Sequence, residues 1–472
     1  MLSDTNAYTH FKLRLGTDFD KILPGRDKSP GELARDYIKL LLEEYIASNG
    51  SFDNLVMTIP DTWFREKGNK TAKGHLEQIF KGLGYQNVTL QSEPVAASAY
   101  FCWHYQYLNK SKNPDKKPYE GFIVVVDYGG GTLDVTLCKV TNGNSIQVLE
   151  RYGYGEYNDS NGCAGVAFDE SVIRILSCEQ GISLAGTDRE FIQLCYDFER
   201  KKIAQTPKIS RCMSDYFLNA FSVDNTRLFA VSSNNNHEWP VYCKHLAAAF
   251  KETNEKVLKE SLEQMKQRFG VHEVDSNDGK TFKILMVGGF SNFCCVQKCV
   301  MDDIFGCEVL MRELDDRFNN FLSHEDEALA VAKGASLIAA GTIRVEQVCT
   351  HDIGIIVCQY NVAEDKLEDH YVRIVTRGEK LTDVAKPRYS YYSLARLWGN
   401  RGPVRLFIEG GNSKKETIVD KDMIKDLQET DTIGEGYIFG VSVDENLKVS
   451  LHVKKPSEVE IMAKTVVDLN NR

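Results

Sequence analysis

Residues Phe122 to Val140 restrict this chain more than any other stretch. An apolar run, Phe-Ile-Val-Val-Val, ends in Asp127; Tyr128-Gly129-Gly130-Gly131-Thr132 follows; Leu-Asp-Val-Thr-Leu-Cys-Lys-Val leaves with alternating character. Leu133, Val135 and Leu137 point one way, and Thr132, Asp134 and Thr136 the other. The pattern predicts two strands joined by a glycine loop. Three consecutive glycines add nothing to packing, but they bare backbone N–H groups and permit positive φ, so the loop can close around an oxyanion. Asp127 and Asp134 flank that loop, where carboxylates suit a hydrated Mg²⁺ beside a phosphate. An ordinary β-hairpin with a glycine turn is the alternative at this point.

A chain of 472 residues has room for two or three domains with large cores. Its net charge of -10 argues against a nucleic-acid binder, which needs a basic surface. No apolar run approaches the roughly 20 residues of a membrane span. The start, Met-Leu-Ser-Asp-Thr-Asn, does not read as a signal peptide. The 13 cysteines are scattered and form no C-x-x-C pair, which suits reduced thiols better than a disulfide frame or zinc site. The expectation is a cytoplasmic protein with no nucleic-acid or membrane partner.

In chain order, Ser29-Pro30-Gly31-Glu32 is a capping box that opens a helix to about Ala47, with Leu33, Tyr37, Leu40, Leu41 and Tyr45 on one side. Asn54 to Ile59 reads as a buried strand stopped by Pro60. Thr71 to Leu83 reads as a helix capped at Gly84. Val88 to Leu90 reads as a strand, Gln91 to Pro94 as a turn, and Val95 to Trp103 as a helix. Lys110 to Pro118 is a basic surface loop without assigned function. Further helices are expected to about Cys178, over Asp188–Ala204, as one long helix over Val241–Phe269, and over Glu325–Ala340. A buried strand is expected at Lys283–Val287. Strands alternating with helices imply an α/β sheet protein with ligands at the strand ends. From Gly341 the period becomes two, with strands at Asp352–Tyr360, Tyr371–Val375, Val404–Glu409, Tyr437–Val443 and Lys448–Val453, which predicts a separate antiparallel β module.

Four motifs stand in fixed order: Ser92-Glu93-Pro94-Val95-Ala96-Ala97; Val126 to Asp134; Ala164-Gly165-Val166-Ala167-Phe168-Asp169; and Met286-Val287-Gly288-Gly289-Phe290-Ser291. Together they resemble the actin-like ATPase domain of the seventy-kilodalton heat-shock (DnaK-like) chaperone family. Val56 to Pro60 is similar to the strand that precedes these motifs there, and Asp326-Glu327-Ala328 with Gly334-Ala335 to that domain's last helix. The β module resembles the family's peptide-binding β-sandwich. The resemblance implies an actin-like nucleotide-binding domain over 1–341 with an incomplete first lobe, a linker over 342–348 and a β-sandwich, substrate-binding-like domain over 349–472. It implies ATP or ADP with Mg²⁺ as ligands, and extended peptides and co-chaperones as partners in protein folding and stress response. Gly129, Gly130, Gly131 and Thr132 would surround the phosphates. Asp127 and Asp134 would hold Mg²⁺ through water, and one could orient the attacking water that Glu93 faces. Glu199 and Lys202 would lie along the adenosine, with Gly165, Gly288 and Gly289 against the nucleotide and Asp326 near the adenine.

The chain departs from that pattern. The family's first glycine hairpin and the lysine that follows it are not found; Leu15-Gly16-Thr17-Asp18 lacks the strand context, and His10-Phe11-Lys12-Leu13 reads as a non-catalytic stretch. Asn161 stands for a threonine, and the linker Arg344-Val345-Glu346-Gln347-Val348 is polar in its middle. No helical lid follows the β module before Arg472. The reading is a chaperone-like protein whose ATP hydrolysis is impaired in this chain. The alternatives are a non-catalytic nucleotide sensor or scaffold, and a small-molecule kinase of the actin-like fold.

Overall fold

The computed structural model describes residues 11–22, 27–52, 54–64, 71–112, 117–155, 164–186, 188–218, 226–232, 238–309, 314–318, 324–349, 351–393, 404–410, 413–419, 438–444, 447–454 and 460–469. The chain divides into two units, 1–146 with 151–344, and 147–150 with 345–472.

The first unit opens with α1 (Pro30–Asn49), whose capping box forms as the sequence predicts: Glu32 N–H donates to Ser29 Oγ, and Ser29 N–H donates to Glu32. Its apolar stripe differs from the expectation. Ala34 and Ile38 are buried, whereas Tyr37, Leu40, Leu41 and Tyr45 are exposed. β1 (Leu55–Ile59), α2 (Ala72–Gly82) and β2 (Val88–Ser92) follow, with β1 and β2 paired in parallel. These elements share a small core of Leu15, Ala34, Ile38, Ile59, Trp63, Leu76, Ile79 and Phe80. There is no turn over Gln91–Pro94. β2 runs to Ser92 and α3 (Glu93–Lys112) begins at the next residue. Pro94 sits in the first helical turn, where its missing N–H costs nothing, and Val95 N–H donates to Ser92 Oγ.

The second core of this unit is built on β3 (Gly121–Tyr128), β4 (Leu133–Thr141) and β5 (Ser145–Tyr154). α4 (Gly165–Glu179), α5 (Arg189–Ala204), α6 (Thr206–Leu218), the hairpin β6 (Arg227–Ser232) and β7 (Glu238–Tyr242), α7 (Cys243–Thr253), α8 (Glu255–Gln267), β8 (Phe282–Val287), α9 (Cys294–Lys298) and α10 (His324–Ala339) complete it. In the sheet, β8, β3, β4 and β5 are successive neighbours; β3 pairs antiparallel with β4 and parallel with β8. The single helix expected over Val241–Phe269 is two helices. Asn254 breaks it: the residue is fully buried, its φ is −120°, and its Nδ2 donates to Tyr128 Oη at 2.8 Å and to the Ala164 carbonyl at 3.4 Å. An inward amide with two specific partners outweighs one more turn of helix.

The second unit resumes at Val345, within the short strand β9 (Arg344–Gln347). It contains β10 (Asp352–Asn361), β11 (Lys366–Val375), β12 (Arg388–Ser393), β13 (Val404–Gly410), β14 (Ser413–Val419), β15 (Ile438–Val443), β16 (Lys448–Lys454) and β17 (Glu460–Asp468). Two four-stranded sheets form, in orders β11-β10-β13-β14 and β12-β15-β16-β17, and every pairing within them is antiparallel. Alternate residues from both sheets share one core, including Ile353, Ile355, Leu406 and Ile408 from the first and Val441, Val443, Val449 and Leu451 from the second. β12, β14 and β17 are absent from the sequence expectation.

Gly334 shows how closely α10 approaches α3. A Cβ there would lie 1.7 Å from the Ala96 carbonyl oxygen, and backbone cannot yield as a flexible side chain can. Gly334→Ala is expected to destabilise the first unit by about 3 kcal/mol through overpacking. Urea unfolding followed by the tryptophans checks this; a midpoint equal to that of the parent chain would refute it.

Candidate functional site

The site grows from the register of one hairpin. Asp127 lies directly opposite Asp134 on the β3–β4 ladder, and Tyr128 opposite Leu133. Gly129 N–H donates to the Thr132 carbonyl at 3.1 Å and closes the loop between them. At the start of α4, Gly165 N–H donates to the Gly129 carbonyl and Val166 N–H to the Gly130 carbonyl, at 3.2 and 2.8 Å. Across a trans peptide the N–H points opposite to the carbonyl. The N–H groups of Gly130 and Gly131 therefore point away from α4. Gly165 is part of this arrangement, because a Cβ there would press on the Gly129 carbonyl at 3.3 Å.

Two opposed carboxylates repel, and burial adds to the cost. Asp127 is 9% exposed and Asp134 not at all. Burial, followed by the charge of Glu93, pushes Asp127 up to about 7. Burial, followed by the charges of Asp61 and Asp127, pushes Asp134 well above the carboxylate range. Neither oxygen of Asp134 has a hydrogen-bond partner. Two glycines make room for the pair. Gly288, at φ +85°, would place a Cβ 2.7 Å from Asp127 Oδ1, and Gly153 one 2.7 Å from Asp134 Oδ1. β8 brings Gly288 there because Val287 is the ladder partner of Asp127. Gly289 is exposed with open space beside it.

Glu93 stands at the first residue of α3, and its charge acts on both aspartates. Its Oε1 accepts from Lys12 Nζ at 2.6 Å. Lys12, in the stretch read as non-catalytic, thus lies against Glu93. Asp61, fully buried just after Pro60, also went unforeseen. It accepts a hydrogen bond from Thr136 Oγ1 and lies 3.4 Å from Arg151 Nε. Proline ending a short strand was the sequence signal for Asp61; Lys12 had none, since its partner is 81 residues away.

Lys202 and Glu199 share α5. Lys202 Nζ donates to both oxygens of Asp169, at 2.6 and 2.8 Å, and lies 5.5 to 5.8 Å from the rings of Phe168, Phe198 and Phe290. Burial raises Asp169 to about 6, and Lys202 opposes that rise. Glu199 is half-buried. Asp326 belongs to α10, but its side chain lies outside the described residues, as does the Asn161–Cys163 segment.

The glycine loop joins two strands of an α/β unit, and the buried carboxylates of Asp127 and Asp134 face each other on the ladder at its base. The family follows from the sequence as a whole. The profile of "Hsp70 protein" matches residues 108–390, and the chain belongs to that family. It is similar to the "Chaperone protein DnaK" of Thermosipho africanus (strain TCF52B) and of Thermosipho melanesiensis (strain DSM 12029 / CIP 104789 / BI429). Each is 25% identical over 348 residues, covering 72% of this chain and 49% of the relative. The chain thus spans about half the length of these relatives. No helix among the described residues is long and apolar enough to cross a membrane.

The raised Asp127 has a pH consequence. Folded Asp127 holds its proton up to about pH 7, whereas in the unfolded chain it loses it near 3.9. Between those limits the folded state binds more protons, so stability falls as pH rises. The melting temperature in EDTA is expected to drop from pH 5 to pH 8, with a shallower slope in Asp127→Asn. An identical slope in the variant would refute the assignment.

Proposed function

We propose that this chain is an Hsp70-type protein whose first unit binds a magnesium nucleotide, ATP or ADP, and whose second unit, a β-sandwich, engages extended peptide segments. The observation that carries this reading is the fully buried, unpartnered Asp134 carboxylate facing Asp127 beneath the Gly129–Thr132 loop. Paired carboxylates suit a hydrated divalent cation, and the bare N–H groups of a glycine loop suit phosphate oxygens. Asp127 and Asp134 would hold the cation through water, and the cation would neutralise charge on the phosphates. Glu93, braced by Lys12, would orient the attacking water. Phosphoryl transfer asks for such positioning and charge stabilisation more than for a nucleophilic side chain. A peptide in the second unit would be held by backbone hydrogen bonds and side-chain pockets.

Turnover by the 472-residue chain is expected to be slow, because its sequence carries one glycine cradle to hold the phosphates. Calorimetry with Mg-ADP is expected to give saturable heat, and Asp134→Asn to weaken that binding about 10- to 100-fold, the range for groups that hold a metal's outer shell. Absence of Mg-ADP heat in the parent chain would overturn the nucleotide reading. ATP turnover as fast as that of a full-length DnaK chaperone assayed alongside would overturn the slow-hydrolysis reading.

A further inference from the structure

We infer that the hydrogen bond between Asn254 and Tyr128 is a positioning device for the glycine loop, so that a buried core amide sets the affinity for the ligand's phosphates. The inference rests on the magnesium-nucleotide reading above and adds two residues on which that binding depends.

The contacts close a circuit. Asn254 Nδ2 donates to Tyr128 Oη at 2.8 Å and to the Ala164 carbonyl at 3.4 Å. Tyr128 is bonded covalently to Gly129, and Ala164 to Gly165. Gly165 N–H donates to the Gly129 carbonyl at 3.2 Å and completes the ring. A carbonyl only accepts, so the group that faces Ala164 is the amide NH₂, which fixes the orientation of the side chain. The amide oxygen accepts from Thr253 Oγ1. One amide thus holds the entry of the glycine loop at a set distance from the start of α4. The circuit stands on fixed ground. Asn254 and Tyr128 are fully buried, Ser171 Oγ of α4 donates to Glu252 of α7 at 3.2 Å, and the Tyr128 ring meets Phe290 edge-on at 5.1 Å.

Stability does not ask for this pair. Two buried polar partners can be exchanged together for apolar groups of the same shape at nearly no cost. Asparagine is also a poor choice between two helices whose backbone bonds already run through it. Asn254 N–H donates to the Phe250 carbonyl at 2.9 Å, and Leu258 N–H to the Asn254 carbonyl at 3.0 Å. What an apolar pair would lack is direction. A hydrogen bond fixes distance and angle, whereas apolar contact tolerates sliding. The bare N–H groups of a glycine loop serve a phosphate only while their spacing is held, and a displacement of about 1 Å removes much of a positioned interaction.

The test is a double-mutant cycle on the intact 472-residue chain, with Tyr128→Phe, Asn254→Leu and the two combined. Mg-ADP affinity is measured by calorimetry below the melting temperature of each protein. Each single variant is expected to bind Mg-ADP about tenfold more weakly, the weight of one well-placed hydrogen bond. The double variant is expected to keep a melting temperature near the parent's and still bind about tenfold more weakly. A pair with a purely structural role would not give that split, because its affinity would return with its stability. Tyr128→Phe removes one oxygen and leaves the ring against Phe290, so it keeps the test open should Asn254→Leu not fold; parental affinity in Tyr128→Phe overturns the inference. Parental affinity in the double variant, with Mg-ADP bound by the parent chain, also overturns it and leaves the nucleotide reading standing. Absence of Mg-ADP heat in the parent chain overturns both.

Discussion

Two carboxylates held opposite each other in the core of a sheet form the constraint on which the first unit depends. A ladder register that pairs Asp127 with Asp134 is unfavourable in itself. The surroundings are arranged to tolerate it. Gly288 and Gly153 leave the space the carboxyl groups occupy. Lys12 and Arg151 supply positive charge through Glu93 and Asp61. The carbonyls of Gly129 and Gly130 turn toward α4. Packing alone would have selected apolar residues at both positions, so the pair is a local cost that the rest of the fold holds in place.

What the sequence discloses of this site depends on distance along the chain. The hairpin, the glycine loop and the Ser29 cap are each written within a few residues, and local chemistry decides them. The Lys12–Glu93 and Asp61–Thr136 contacts join residues 81 and 75 positions apart, and no periodicity encodes such pairs. The break at Asn254 was hidden for the same reason. Its neighbours have good helical character, and the partners that pull its amide inward are Tyr128 and Ala164. On α1 the helical period was legible, but the side that packs was not, since Ala34 and Ile38 are buried in place of the larger residues.

The second unit shows a related limit. Among the strands of its two four-stranded sheets, period-two reading passes over β12, β14 and β17, and each lies at the end of its sheet order. Edge strands carry charge and polarity that discourage pairing with other chains. Ser413-Lys414-Lys415-Glu416-Thr417 is of this kind, and such residues mask the alternation by which inner strands are recognised. The inner strands β10, β13, β15 and β16 were found because their buried faces are continuous rows of Ile, Leu and Val.

Asn254 joins these themes. One side-chain amide reaches both the ring hydroxyl at the end of β3 and the carbonyl that caps α4, so it ties together the two elements between which the glycine loop hangs. The interruption of the helix is what allows that side chain to turn inward. A residue with higher helical preference at this position would favour a continuous rod from Cys243 to Gln267. The gain in local regularity would come with a loop no longer held on that side. Fold stability and site geometry pull in opposite directions at this residue, and the imperfect helix serves the geometry.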